Sequence, residues 1–316
     1  MNTISVVMTS YNFRPYLRDA VLSLLNQKGR GLSQLIVIDD ASPARDFEVI
    51  ADLKDPRLQC IVHAHNIGAA QSINEAMALV SSDYVGRYDG DDRWPPEAME
   101  QLASALDRHP EAPMAYGDIR TLSPSGEIGS HGIERPAGPL LRDEFEYLLA
   151  RHYTCAPAIL ARRSAWQALL PWPERFRAGL GDWYFNLRFA RMGPLVHVPE
   201  VLAHYRVHDA GMHRTGLLNS HLESSLREIL AEHLPLLDDP ARAKRIEVQH
   251  LRDLAKSYFA KERDDDARRI YLELLRRAPL SILRRDTLAS ALACLLIGRK
   301  WYRRAQSLRA ASAQER

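Results

Sequence analysis

Asp83-Tyr84-Val85-Gly86-Arg87-Tyr88-Asp89-Gly90-Asp91-Asp92-Arg93-Trp94-Pro95-Pro96 is the stretch on which the reading of this sequence turns. It opens as a β-prone run, sets three carboxylates within four residues, and ends in Trp94-Pro95-Pro96, a helix start. Carboxylates so close repel one another unless a cation lies among them. Clustered hard oxygen donors suit Mg²⁺ or Mn²⁺, ions that keep open positions for phosphate oxygens. Taken alone, the same four residues also read as a solvated acidic turn.

Around this stretch the first half of the chain alternates strand and helix patterns. Ile4-Ser-Val-Val-Met8 is a nearly continuous apolar run, as for a strand covered on both faces. Pro15 then sits where a first helical turn tolerates it, and Leu17, Ala20, Val21, Leu24 and Leu25 form one stripe at helical spacing. Leu35 to Ile38 reads as the second strand, followed by Asp39-Asp40-Ala-Ser-Pro43, a polar helix over about 44–53, and a strand at Leu58 to Val62. Helical stripes recur at Ile73, Ala76, Met77, Val80 and at Met99, Leu102, Ala103, Leu106. This alternation predicts an α/β fold, a mostly parallel sheet with helices on both faces, in which ligands bind beyond the carboxyl ends of the strands. Thr9-Ser10-Tyr11-Asn12, Asp39-Asp40 and Asp89 to Asp92 all fall at such ends. No G-x-G-x-x-G follows the first strand, which argues against a dinucleotide-binding dehydrogenase.

Residues 120–215 are less regular, with a Pro/Gly/Ser-rich stretch from Ser123 to Pro139 and a helix expected near 141–151. Beyond Arg214 the chain is rich in Leu, Ala, Arg and Glu and reads as helical almost throughout. Leu254 to Phe259, followed by Ala267, Tyr271, Leu274-Leu275 and Pro279, has the pattern of one tetratricopeptide-type helical pair. Leu288, Leu292, Leu295 and Leu296 make an apolar stripe flanked by Arg284-Arg285 and by Arg299-Lys300 and Arg303-Arg304. That pattern fits either a basic helix resting on an anionic membrane surface or a terminal core helix with a solvated basic end.

A net charge of +2 on 316 residues gives no footprint of a nucleic-acid partner. Cys60, Cys155 and Cys294 match no metal or redox spacing and read as buried small hydrophobes of a reducing compartment. Met1-Asn2-Thr3 runs straight into the first strand, and the longest apolar stretch, Leu288 to Gly298, is short of the roughly 20 residues of a membrane span. A cytoplasmic protein, with peripheral contact at the inner face of a membrane as an option, is the expectation.

Six pieces in order, Val6 to Asn12, Val37 to Ser42, Asn66-Ile67-Gly68, Asp89 to Asp92, Gly181-Asp182-Trp183 and Tyr205 to His208, make residues 3–210 resemble a family 2 nucleotide-sugar glycosyltransferase of the GT-A fold, of the bacterial surface-polysaccharide type. The resemblance implies a GT-A domain over 1–215 and a helical C-terminal domain over 216–316. It also implies a nucleoside diphosphate sugar as donor, UDP-linked, a Mn²⁺ or Mg²⁺ cofactor, a carbohydrate or lipid-linked acceptor hydroxyl, and inversion at the anomeric carbon. Homo-oligomers are compatible with it.

Residue by residue, Thr9 and Tyr11 offer a hydroxyl and an aromatic face to a nucleobase or ribose, or form a plain turn. Asp40 accepts a base N–H, since a carboxylate cannot donate, while Asp39 caps the loop. Asn66 and Gly68 approach the nucleotide, or serve as N-cap and turn. Where the family often has Arg before Asn74, this chain has Ile73. Asp89 and Asp91 meet the ribose or the metal, Asp92 the metal, and His208 either completes the metal shell or is structural. Arg206 pairs a phosphate or a carboxylate. Asp182, where the family more often shows Glu-Asp and this chain has Gly181-Asp182, is the expected general base, with an ordinary helix N-cap as the competing role. Two other functions stay open at this point: a nucleotidyltransferase of similar fold, for which only Arg14 and Arg18 offer basic side chains after the first strand, and a non-catalytic scaffold that binds nucleotide sugar.

Overall fold

In the computed structural model, which describes residues 2–133, 135, 137–176, 180–209 and 221–297, the apolar runs become the central strands of a mixed sheet. Strand β1 (Ile4–Ser10) is buried along its whole length, as its uninterrupted apolar pattern requires. It lies between β2 (Gln34–Asp39) and β4 (Tyr84–Asp89), both parallel to it, and β3 (Leu58–Val62) adds a parallel strand outside β2. The connections are α1 (Arg14–Leu25), whose Leu17, Ala20, Val21, Leu24 and Leu25 are all buried, a short 3-10 turn at Asp46–Val49, and α2 (Ala69–Ala78). After β4 come α3 (Ala98–Arg108), β5 (Met114–Leu122), β6 (Ile128–Ile133), β7 (Leu141–Arg142), α4 (Phe145–Ala150), β8 (Ile159–Arg162), α5 (Arg163–Leu169), α6 (Gly181–Ala190) and β9 (Leu195–Arg206).

Among the described residues the sheet has nine strands, ordered β3-β2-β1-β4-β8-β5-β9-β7, with β6 on β5. The half from β3 to β4 is parallel, as the alternation predicts. Beyond it β8 inserts antiparallel between β4 and β5, while β9 runs parallel to β5. The register places Thr9 opposite Ile38 on one side and Asp89 on the other, and Ser10 opposite Asp39. The polar motifs therefore share one edge of the sheet.

Several local expectations need correction. The polar helix over 44–53 shrinks to the 3-10 turn at Asp46–Val49, held by Phe47 N–H donating to Asp39 and by Phe13 N–H and Ser10 hydroxyl donating to Asp46. The helix near 141–151 starts at Phe145 because Leu141–Arg142 pairs with β9 as β7. Val80 falls beyond the end of α2. Cys60 is exposed, since β3 is an edge strand, and Cys155 and Cys294 are half-buried.

The chain divides into two compact units, Met1–Ser225 and Leu226–Arg316. The C-terminal helices are α7 (His221–His233), α8 (Pro240–Ala260), α9 (Asp264–Arg277) and α10 (Arg285–Leu292). Helices α8 and α9 pack together with Leu254, Ala255, Tyr258, Ala267, Tyr271 and Leu274 of the sequence pattern buried, while Leu275 of the same pattern is exposed. Three acidic residues open α9 and Arg276-Arg277 close it, complementing its dipole. No helix of the described residues is long and apolar enough to cross a membrane. Arg299, Lys300, Arg303 and Arg304 lie outside the described residues.

The start of α6 shows why Gly181 stands where a Glu is common. A Cβ built there would lie 2.7 Å from the Trp172 ring, which is stacked on Phe185 at 4.2 Å between centroids. Gly181→Ala is expected to lower stability by roughly 1–3 kcal/mol, the usual cost of forcing extra volume into a packed site. Urea unfolding measures it, and an unshifted midpoint would show that Trp172 moves aside at no cost.

Candidate active site

The turn after β4 is built from its neighbours inward. Gly90 N–H donates to the Thr9 carbonyl, and a side chain at Gly90 would crowd Leu17, so the acidic turn hugs the end of β1. The end of β9 fastens it from the other side. Arg93 and His204 exchange backbone hydrogen bonds, and Arg206 N–H donates to Asp92 Oδ1 at 2.8 Å. The Arg206 guanidinium, 2% exposed, donates through Nε to the Asp91 carbonyl, reaches the Ser123 carbonyl and pairs with Asp19 at 3.0 Å. Of the two partners open to Arg206, the structure supplies the carboxylate, Asp19, together with backbone carbonyls. Its task here is to brace the turn.

Within the turn the three carboxylates differ. Asp91 Oδ2 lies 3.0 Å from His208 Nε2, and His208 is walled by the Tyr16 and Phe13 rings. Asp92 is fully buried, and its Oδ2 has no hydrogen-bond partner among the described residues. Burial first, then the Asp91 charge, pushes the Asp92 carboxyl well above the ordinary carboxylate range. Asp89 forms a two-point ion pair with Arg87, at 2.8 and 3.1 Å. Burial raises Asp89 against the pull of Arg87, and the charges of Asp91 and Asp182 raise it further.

Asp182 is brought to the same place. It sits in the first turn of α6, behind the N-cap position, which Leu180 occupies without a side-chain cap, so the capping role weighed for Asp182 is not the one it takes. Its Oδ1 accepts the Trp183 N–H at 2.8 Å. It lines a small pocket with Arg87, Trp166, Trp172, Phe185 and Asn186. Its field reaches Asp89, Cys155 and His152: burial raises the Cys155 thiol, with Asp92, Asp182 and Asp89 adding to the rise, and burial lowers His152 against the pull of Asp182.

On the β2 side, both oxygens of Asp40 are engaged. Oδ1 accepts the Ile67 N–H and faces His63 Nδ1, and Oδ2 accepts the Gly68 N–H. Burial raises Asp40, but these donors together hold it below its ordinary value. Asn66 donates to the Asp40 carbonyl, and Gly68, at φ +91°, is the N-cap residue of α2. Asp39 caps the following loop through Ser42 N–H and Phe47 N–H. Thr9 is nearly buried and Tyr11 is exposed at 44%. Ile73 is core, at 1% exposure, so no side chain reaches the site from there.

The structure thus brings Asp89, Asp91, Asp92, Asp182 and His208 together, with Asp40, Asn66, Gly68, Thr9 and Tyr11 at the same strand ends. Sequence reasoning passed over Arg87, His63, His152, Cys155, Asn74 and Trp172. Arg87 carried a usable signal, since residues two apart on a strand share a face and Asp89 follows it by two. Asn74 clamps Trp172 by exchanging hydrogen bonds with its backbone N–H and carbonyl, a contact without sequence signature. As for a metal, no group of three or more His, Cys, Asp or Glu side chains among the described residues is arranged around one point. The donor types nonetheless fit a divalent ion: Asp91 beside His208, the unpartnered Asp92 Oδ2, and an excess of negative charge. Magnesium-type ions rest on one or two carboxylates plus substrate phosphates.

This fold and edge are those of a sugar-transferring family. The profile of glycosyl transferase family 2 matches residues 5–170, and the chain belongs to that family. It is 28% identical over 216 residues to an uncharacterized protein of Mycobacterium tuberculosis, covering 66% of this chain and 60% of that protein's length. It is 26% identical over 209 residues to a putative teichuronic acid biosynthesis glycosyltransferase of Bacillus subtilis, covering 65% of this chain and 79% of the relative. Among solved structures, Staphylococcus aureus TarS 1-349 in complex with UDP superposes with a TM-score of 0.64 at 15% identity, covering 96% of this chain and 92% of that one. At that identity the likeness speaks for the fold.

Asp92 supplies a pH test. A carboxyl raised by folding binds its proton more tightly in the folded state, so its contribution to stability is present below the ordinary carboxylate pKa and is lost as pH climbs through the raised value. Asp92→Asn removes that dependence and keeps an acceptor for Arg206 N–H. In metal-free buffer the melting temperature of Asp92→Asn minus that of the parent should therefore grow as pH rises from about 4. A difference that stays flat or shrinks would mean that Asp92 carries its charge without penalty.

Proposed function

We propose that this protein transfers a sugar from a nucleoside diphosphate donor, UDP-linked, to a hydroxyl of a carbohydrate or lipid-linked glycan in surface-polysaccharide synthesis, with inversion at the anomeric carbon. The observation that carries the reading is the convergence of Asp182 with Asp89, Asp91 and Asp92 at the carboxyl edge of the parallel strands. The UDP complex of TarS and the assigned role of the Bacillus relative support the donor and the pathway class.

In this reading the base and ribose lie along Thr9, Tyr11, Asp40, Asn66 and Gly68, with the ribose hydroxyls toward Asp89 and Asp91. Asp91 and His208, with Asp92 Oδ2, would hold a Mn²⁺ or Mg²⁺ ion. When bound, that ion supplies positive charge to the diphosphate. Asp182 takes the proton of the acceptor hydroxyl as its oxygen bonds to the anomeric carbon, and the bond from that carbon to the diphosphate oxygen breaks on the opposite face. One displacement with one base inverts the centre. Arg87, paired with Asp89, lines the same small pocket as Asp182, which stands in the first turn of α6.

Asp182→Asn tests this most sharply, because it keeps size and hydrogen-bonding ability and removes basicity. Turnover measured by UDP release should fall about 10²–10⁴-fold, the usual worth of a positioned base. UDP affinity and melting temperature should hold. An Asp182→Asn protein that keeps most of its turnover would hand the base role to another group. The other candidates are already engaged: Asp118 by His197 and Arg135 N–H, Glu174 by Gln71, His208 by Asp91.

A further inference from the structure

At the ends of β2 and β3 a polar chain runs from the nucleotide side of the site to the surface of α2. His63 Nδ1 lies 2.8 Å from Asp40 Oδ1, and His63 Nε2 lies 3.2 Å from Glu75 Oε2. The His63 ring is 10% exposed, Asp40 4% and Glu75 45%, so two of the three members are enclosed and the third is wet. An ionised carboxylate only accepts, so Nδ1 carries the hydrogen of the Asp40 contact. His63 is therefore a donor committed to Oδ1 of Asp40, with Glu75 of α2 beside its other ring nitrogen.

The consequence lies in what remains of Asp40. A carboxylate offers about four acceptor positions. Among the described residues His63 and Ile67 N–H fill those on Oδ1 and Gly68 N–H takes one on Oδ2, which leaves a single position on Oδ2. The two backbone donors come from one short loop and hold one oxygen each. The His63 contact fills the second position on Oδ1, so the position left open falls on Oδ2.

We propose that His63 is a positioning residue for donor recognition: it occupies the second acceptor position on Asp40 Oδ1, so that the one open position, on Oδ2, meets one N–H of the nucleobase. A uracil-type edge offers one such N–H between two carbonyls. A guanine edge offers two neighbouring donors and finds only one position. The proposal rests on Asp40 being the base-facing group, and it adds a reason for selectivity that Asp40 alone does not supply.

Two isosteric variants of the full chain divide positioning from plain structure. His63→Asn places an amide N–H near the Nδ1 position and keeps the donor to Asp40. His63→Gln reaches toward the Nε2 position and Glu75 instead. Calorimetric UDP affinity should fall about tenfold in His63→Gln and recover to within about threefold of the parent in His63→Asn, as expected for loss and return of one hydrogen bond to a charged group. The preference for UDP over GDP should narrow in His63→Gln, with KM for the donor rising and kcat holding. In an Asp40→Asn background, His63→Gln should cost nothing further. Equal loss of UDP affinity in both variants, tracking their melting temperatures, would reduce His63 to a staple between β3 and α2. Parent-like UDP binding in His63→Gln, with binding lost in Asp40→Asn, would overturn the role of His63 alone. Parent-like binding in Asp40→Asn would overturn the reading of Asp40 and this proposal with it.

Discussion

Four carboxylates gathered at one edge of a sheet are a standing electrostatic debt, and much of the surrounding structure is arranged to hold them there. A pair of like charges about 6 Å apart costs on the order of 3 kcal/mol at an effective dielectric near 20. The chain answers with donors of several kinds. Arg87 pairs Asp89, His208 faces Asp91, the Arg206 backbone meets Asp92, and the first turn of α6 lies under Asp182. Arg206 is the centre of this arrangement. Its backbone and guanidinium bind the acidic turn, the Ser123 carbonyl and Asp19 of α1 at once, so strand β9, the turn after β4 and helix α1 are fixed as one piece.

The balance is incomplete, and the remainder has chemical meaning. Among the described residues Asp92 keeps an oxygen without a partner, and the carboxyls of Asp89 and Asp92 are both pushed upward. In the proposed function this unspent negative charge is what a cation and a diphosphate would meet, because charges fully neutralised by the protein would have nothing left to offer. Strain of this kind gathers where function is carried out.

On the opposite side of β1 the logic is reversed. Asp40 is held low by three donors and is locked in place. The aromatic wall beside Asp182 repeats that rigidity by packing: Asn74 grips the Trp172 backbone, the Trp172 ring lies against Gly181 and Phe185, and the Arg87 guanidinium sits 5.4 Å over that ring. Asp40 and Asp182 are thus each attached to stiff elements, joined through β1 and β4.

What could be read from the chain without coordinates was whatever depends on local periodicity or on motifs at strand ends. The apolar run of β1, the stripe of α1 and the acidic turn after β4 each obey rules that act over a few residues, so they announced the parallel half of the sheet and the edge that carries Thr9, Asp40, Asp89 and Asp91, whereas Asp182 entered only with the family resemblance. Pairings between distant segments leave no such periodic trace. The antiparallel insertion of β8 beside β4, the exposure of Cys60 on an edge strand, the burial of Asp92 under Arg206 and the His63 contact with Asp40 join residues from 23 to 114 positions apart. Their geometry is set by how layers pack and by which buried polar groups must find partners, and only the tertiary structure decides that.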